Sequence, residues 1–135
     1  MLVQVELQKL PNQDASRLFI GGYSQGCQVA LACFLTCVQA YPLGGIIGLS
    51  GFQRLQIDAE SIPQEQLEVM RQTPMFLYHG TADKMINIKH TKLSYEIFKK
   101  RIYTGEGKRN FCFFEQEGLG NTLHVDELQM LKAWL

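Results

Sequence analysis

The sequence predicts an α/β fold built on a parallel sheet, and three observations carry that prediction. Short apolar runs at Leu18–Gly21, Gly45–Leu49, Met75–His79 and Phe111–Phe114 have the length and β-rich composition of buried strands. Segments of helical periodicity alternate with them along the chain. The apolar runs are continuous rather than alternating, as expected of strands covered on both faces.

Each element has its own signal. Residues 2–10 fit two readings: Val3, Val5 and Leu7 alternate as in a strand, whereas Val3, Leu7 and Leu10 share a helix face. Pro11-Asn12-Gln13-Asp14 is a turn cluster. Gln25 to about Gln39 reads as a helix stopped near Pro42. Residues 50–62 read as a loop. Pro63–Arg71 is a polar helix with Leu67 and Met70 inward, ended at Thr73-Pro74. The loop Gly80–Lys84 follows the third strand. Ile88–Ile102 reads as a helix with Leu93, Ile97 and Tyr103 on one stripe, and "TGEGKR" as a turn. Asp126–Leu135 is a last helix with Leu128, Leu131 and Leu135 inward.

The bulk numbers narrow the function classes. The chain has 135 residues, 46% of them hydrophobic, enough for one domain with a filled core. Thirteen basic and thirteen acidic side chains cancel, and no basic block suggests nucleic acid or anionic lipid as a partner. The apolar stretch from Val29 to Tyr41 is too short to span a bilayer, so no transmembrane segment is expected. The N-terminus has no charged region ahead of an apolar core, so no secretory signal is read. Cysteines at 27, 33, 37 and 112 form no C-x-x-C pair and suit reduced thiols of an intracellular, cytoplasmic protein, an organelle remaining open. His79, His90 and His124 show no ligand spacing, so neither metal nor cofactor is expected. There is no internal repeat.

The chemistry concentrates in "RLFIGGYSQG". Gly22-Tyr23-Ser24-Gln25-Gly26 is a G-x-S-x-G sequence between a strand and a helix, the context of an α/β-hydrolase nucleophile elbow. Gly22 and Gly26 would permit the close approach of strand and helix. The Gln25 N–H, at the helix N-terminus, would donate to an oxyanion. The competing reading is a glycine-rich turn with an incidental serine. A serine hydroxyl needs a base, and in this fold the order is serine, acid, histidine. Asp83, in "HGTAD", follows the third strand, where catalytic groups of open α/β sheets collect; otherwise it caps a turn. His79 precedes the acid, so it reads as structural, and His90 as a surface residue.

These residues resemble the acyl-protein thioesterases, a family similar to the small carboxylesterases and lysophospholipases. "RLFIGGYSQG" resembles the family's elbow, "HGTAD" its acid loop, and "EGLG" with the final "LKAWL" its C-terminus. The resemblance runs from about residue 8 to 135. It implies an α/β-hydrolase domain over 1–135, hydrolysis of acyl esters or thioesters without a cofactor, Ser24 as nucleophile and Asp83 as acid.

The base does not carry over. In the family a histidine follows the last glycine of the Gly118-Leu119-Gly120 turn, where this chain has Asn121. An amide cannot take a proton near neutral pH. Losing a triad member costs on the order of 10⁴-fold or more in rate. His124 is the nearest substitute base, provided residues 121–124 turn back; otherwise it starts the last helix as a cap. The chain also begins 23 residues before Ser24, so the fold is expected to lack its N-terminal strands, one of which carries the loop with the second oxyanion donor. The first remaining strand is then a sheet edge, which invites a protein partner or self-association. Cys27, where the family has a glycine, is expected to narrow the site. Two functions follow: an impaired serine hydrolase domain, or a non-catalytic pseudo-hydrolase serving as a binding or structural subunit.

Overall fold

In a computed structural model, residues 2–37 and 41–135 are described. Four parallel strands, β1 (Phe19–Tyr23), β2 (Gly45–Leu49), β3 (Met75–Gly80) and β4 (Phe111–Gln116), lie in the order β1-β2-β3-β4. Among the described residues five α-helices surround them: α1 (Leu2–Gln8), α2 (Gln25–Cys37), α3 (Gln64–Gln72), α4 (Ile88–Ser94) and α5 (Val125–Trp134). The expected end of α2 at residues 38–39 lies outside the described residues. The sheet is the parallel one foreseen.

One face of the sheet carries the larger core. Leu31 and Phe34 of α2, Leu67 and Met70 of α3, and Tyr95, Phe98 and Ile102 pack there against Ile46, Met75 and Leu77. The other face carries a smaller cluster of Leu49, Phe76, Tyr78 and Leu119 under Met130, Leu131 and Trp134 of α5. Central β3 is buried at every residue. Outer β1 is not: Phe19, Gly21 and Tyr23 are exposed.

One open reading is settled and two expectations change. Residues 2–8 resolve as a helix, placing Leu7 inward. The long helix from Ile88 breaks at Tyr95 and continues as a π turn over Phe98–Ile102. That break shifts the stripe: Thr91, Tyr95, Phe98 and Ile102 are buried while Leu93 is 72% exposed. In α5 the inward face is Glu127, Met130, Leu131 and Trp134, and Leu128 and Leu135 are exposed. Trp134 sets this phase by packing on Phe76, centroids 5.5 Å apart, and edge-on to Phe19.

Register brings the chemistry to one rim. Tyr23 pairs with Leu49, Leu49 with Tyr78, and Gly80 with Gln116. Ser24, Ser50 and the loop of Asp83 therefore meet at the carboxyl ends of adjacent strands, as expected for an open parallel sheet.

Candidate active site

Ser24 sits between β1 and α2 with φ of 55°, a left-handed conformation that costs a non-glycine residue energy. The ladder holds it there: its N–H donates to the Leu49 carbonyl at 2.8 Å, and its own carbonyl accepts from Cys27 N at 3.1 Å. Gly22 makes the turn possible. A Cβ on Gly22 would lie 2.1 Å from the Gly26 carbonyl, so strand and helix touch through backbone. Gly26 itself differs from expectation, since a Cβ there would meet nothing within 4 Å. Its backbone forms the strand–helix contact, but the side-chain direction faces open space, where Gly26 lines a groove beside β1. The Gln25 N–H, first of α2, has no hydrogen-bond acceptor among the described residues, and Ser24 Oγ likewise has no partner.

Asp83 is buried and saturated with donors. Its Oδ1 accepts from Met85 N at 2.9 Å and Ile86 N at 2.8 Å. Its Oδ2 accepts from Asn121 Nδ2 at 2.8 Å and lies 3.3 Å from His79 Nε2. Charge-assisted bonds of this number offset the cost of placing a carboxylate in the interior. His79 is fully buried on β3, its Nε2 also 2.9 Å from the Ile86 carbonyl. It backs the acid loop from inside the fold, consistent with a structural role. His90 is on the surface, edge-on to Phe52.

Asn121 joins the two chemical halves. Its Nδ2 points to Asp83 and, at 3.4 Å, to the Ser50 carbonyl. Tyr23, the residue before the serine, donates its hydroxyl to the Asn121 carbonyl at 2.7 Å and to Oδ1 at 3.0 Å. The close approach of the turns at Gly80 permits this. A Cβ on Gly80 would meet the Leu119 carbonyl at 2.0 Å, and Ala82 N donates to that same oxygen at 3.0 Å. Asn121 thus presents its amide to Asp83 while its carbonyl oxygens hold Tyr23, the residue before Ser24.

His124 goes elsewhere. It is the N-cap of α5: its Nδ1 accepts from Asp126 N at 3.2 Å, and Glu127 Oε2 accepts from His124 N at 3.2 Å in a reciprocal capping box. Gln116 Nε2 is 3.4 Å from the same Nδ1. No hydrogen bond among the described residues joins His124 to Asp83 or Ser24. The residue expected as a substitute base is thus engaged at the start of α5, its Nδ1 taken by the cap.

Cys27 is corrected as well. It is fully buried beneath the elbow, where Cβ atoms built on Gly48 or Gly51 would strike it, so it fills the core rather than the site. Burial pushes its thiol up to about 12, the Tyr95 hydroxyl partly opposing this. Among the described residues, Cys27, Cys33 and Cys112 are in no disulfide, and no cluster has the makings of a metal site.

Sequence reasoning missed Tyr23 and Ser50. Ser50 has φ of 53° and is fully buried at the end of β2, its N–H donating to the Tyr78 carbonyl at 2.9 Å. The Ser50-Gly51 pair after a strand was the available signal of a strained turn.

The profile of the phospholipase/carboxylesterase family matches residues 1–135. The chain belongs to that family. Members of the phospholipase/carboxylesterase family similar to it include acyl-protein thioesterase 1 of Yarrowia lipolytica, 36% identical over 121 residues, covering 90% of this chain and 49% of the relative. Acyl-protein thioesterase 1 homolog 1 of Dictyostelium discoideum is 30% identical over 134 residues, covering 98% and 52%. The chain therefore spans about half the length of the curated relatives it matches. Among solved structures, Arabidopsis thaliana SOBER1 superposes with a TM-score of 0.76 at 26% identity, covering 98% of this chain and 57% of its own. Zea mays acyl-protein thioesterase 2, at 22% identity, shares the fold with a TM-score of 0.80, covering 98% and 60%. The fold is that of an α/β-hydrolase.

Proposed function

We propose that this chain is the nucleophile-bearing part of a serine hydrolase for acyl esters or thioesters in which the proton-transfer step has been lost. Ser24 is the nucleophile position, the Gln25 N–H the oxyanion donor and Asp83 the acid. The observation that carries the reading is the 2.8 Å bond from Asn121 Nδ2 to Asp83 Oδ2. It puts an amide on the acid where attack by Ser24 requires an imidazole. An amide has no basic lone pair at neutral pH, so the Ser24 proton has nowhere to go when its oxygen meets the acyl carbon. The capping of α5 by His124 supports the same conclusion. The chain by itself then binds or supports rather than turns over, as a pseudo-hydrolase subunit in an intracellular setting, its bare β1 edge the place for an associated protein.

Fluorophosphonate labelling of the purified chain tests this. The parent is expected to label no better than Ser24→Ala, and Asn121→His to label measurably. Labelling of the parent that disappears in both Ser24→Ala and His124→Ala would overturn the proposal in favour of a hydrolase with a displaced base.

A further inference from the structure

Although the chain carries no net charge, four of its eight lysines meet beside β4. Lys92 comes from α4, Lys99 and Lys100 from the π turn, and Lys108 from the 3₁₀ turn Gly105–Asn110. Between them run two adjoining hollows of about 470 Å³ each, both reaching Glu96, Lys99 and Phe111. The floor is aromatic. Phe111 and Phe113, two residues apart on β4, pack toward the larger core. Phe111 lies against Tyr103 with ring centroids 5.5 Å apart, and Phe113 edge-on to Tyr95 at 5.2 Å. Both phenylalanines stay half-buried, whereas the four lysines are exposed. The carboxylates present do not balance those lysines. Glu115 pairs with Lys92 at 2.8 Å and Glu96 with Lys100 at 3.0 Å. That leaves Lys99 4.0 Å from a Glu96 already engaged, and Lys108 in no ion pair among the described residues. Walls and floor all come from residues 92–115, inside the described fold.

We propose that this groove docks an extended acidic segment of another protein, with carboxylates on Lys99 and Lys108 and apolar side chains on Phe111 and Phe113. An extended chain turns every second side chain to one face, about 7 Å apart. Apolar side chains on that face reach the aromatic floor, and the acidic ones between them lie at the height of the lysine ammonium groups. Lysines beside a strand repel an uncharged or basic segment. The same groups favour a segment that brings carboxylates, so the residues that guard β4 against general pairing also select its partner. A polyphosphate chain such as a nucleic acid fits less well. No arginine lines either hollow, which removes the fork that grips phosphate, and Glu96 and Glu115 stand among the lysines. The contact is reached by solvent, so its strength falls as salt rises. Ser24 follows β1, at the opposite side of the sheet, so its reactivity has no bearing on this groove.

Fluorescence anisotropy with the full chain tests this, using a labelled peptide of alternating glutamate and leucine, about seven residues long to fill the groove. Saturable one-to-one binding is expected, weakened about tenfold or more when salt rises from about 0.05 to about 0.5 M. Lys99→Glu combined with Lys108→Glu, both at exposed positions, is expected to weaken it about tenfold or more while the circular dichroism of the chain is unchanged. The same double variant is expected to bind a peptide of alternating lysine and leucine better than the parent does. A parent chain that does not bind the glutamate–leucine peptide overturns the proposal, as does binding that the double variant leaves unchanged. Equal binding of a glutamate–serine peptide overturns it by showing that the aromatic floor is not used. Equal binding of inorganic polyphosphate overturns it by showing a face for anions in general. Fluorophosphonate labelling of the parent would sink the loss of turnover yet leave each of these outcomes unaffected.

Discussion

β1 and β4 are both outermost in the sheet, yet only β4 is dressed for solvent. β4 places Glu115 outward against Lys92 and is flanked by further lysines and Glu96. β1 is apolar and glycine-rich, with Phe19 and Tyr23 left exposed. Its composition is that of an interior strand. The comparison teaches that a strand's residues record the environment they suit even when nothing in the structure covers them. Charge and Pro are cheap devices against strand pairing, and their omission at one edge beside their presence at the other is informative.

The largest effect sharpens what holds β1 in place. Gly22→Ala drives a Cβ into the Gly26 backbone, and we expect a loss of about 3 kcal/mol or more in urea unfolding; a loss under about 1 kcal/mol would mean that strand and helix separate easily. Next, Asn121→Ala removes a donor from buried Asp83 and the weaker of the two acceptors of the Tyr23 hydroxyl, the main-chain carbonyl remaining. A cost of about 1–3 kcal/mol is expected. Tyr23→Phe, half exposed, should cost about 0.5–1.5 kcal/mol by the same measurement, an unchanged midpoint arguing that β1 is not tethered through this bond.

The helix α5, which covers the second face of the sheet, has a pH signature. Desolvation raises the Glu127 carboxyl above the ordinary glutamate value, while the bond from the His124 N–H partly opposes the rise. The folded state then binds the proton more tightly than the unfolded state, so stability is greatest below the ordinary glutamate pKa and falls as pH rises through the raised one. Glu127→Gln should flatten that decline in urea midpoints taken from pH 4 to 8. A mutant whose slope matches the parent would remove Glu127 as its source. The smallest effect on stability is the most direct attempt to break the comparison. Replacing the half-exposed pair with Lys92→Leu and Glu115→Val should shift stability by about 1 kcal/mol or less. It should nonetheless make the chain self-associate in light scattering, because β4 loses its guard; a variant that stays as dispersed as the parent would show that these charges do not protect the edge.

Much of the fold was legible because its signals are local. The runs at Gly45–Leu49 and Met75–His79 are apolar and bounded by turn residues, so their strands fall where the pattern puts them. The helix phases were harder. Leu93, Leu128 and Leu135 look like core residues by type, but the π turn after Tyr95 and the anchoring of Trp134 on Phe76 rotate other residues inward. A hydrophobic side chain near a helix end can face water when a larger ring elsewhere sets the rotation.

By itself, the sequence determined the alternation of strands and helices, the elbow at Ser24, the loop of Asp83 and the asparagine at position 121, because spacing and residue chemistry are written along the chain. Only the tertiary structure decided what those residues touch. It set Asn121 against Asp83 and Tyr23, turned His124 to cap α5, sank Cys27 beneath the elbow and left β1 uncovered. Those outcomes depend on backbone approaches of a few ångströms at Gly22 and Gly80, between segments far apart in sequence, and no local pattern encodes them.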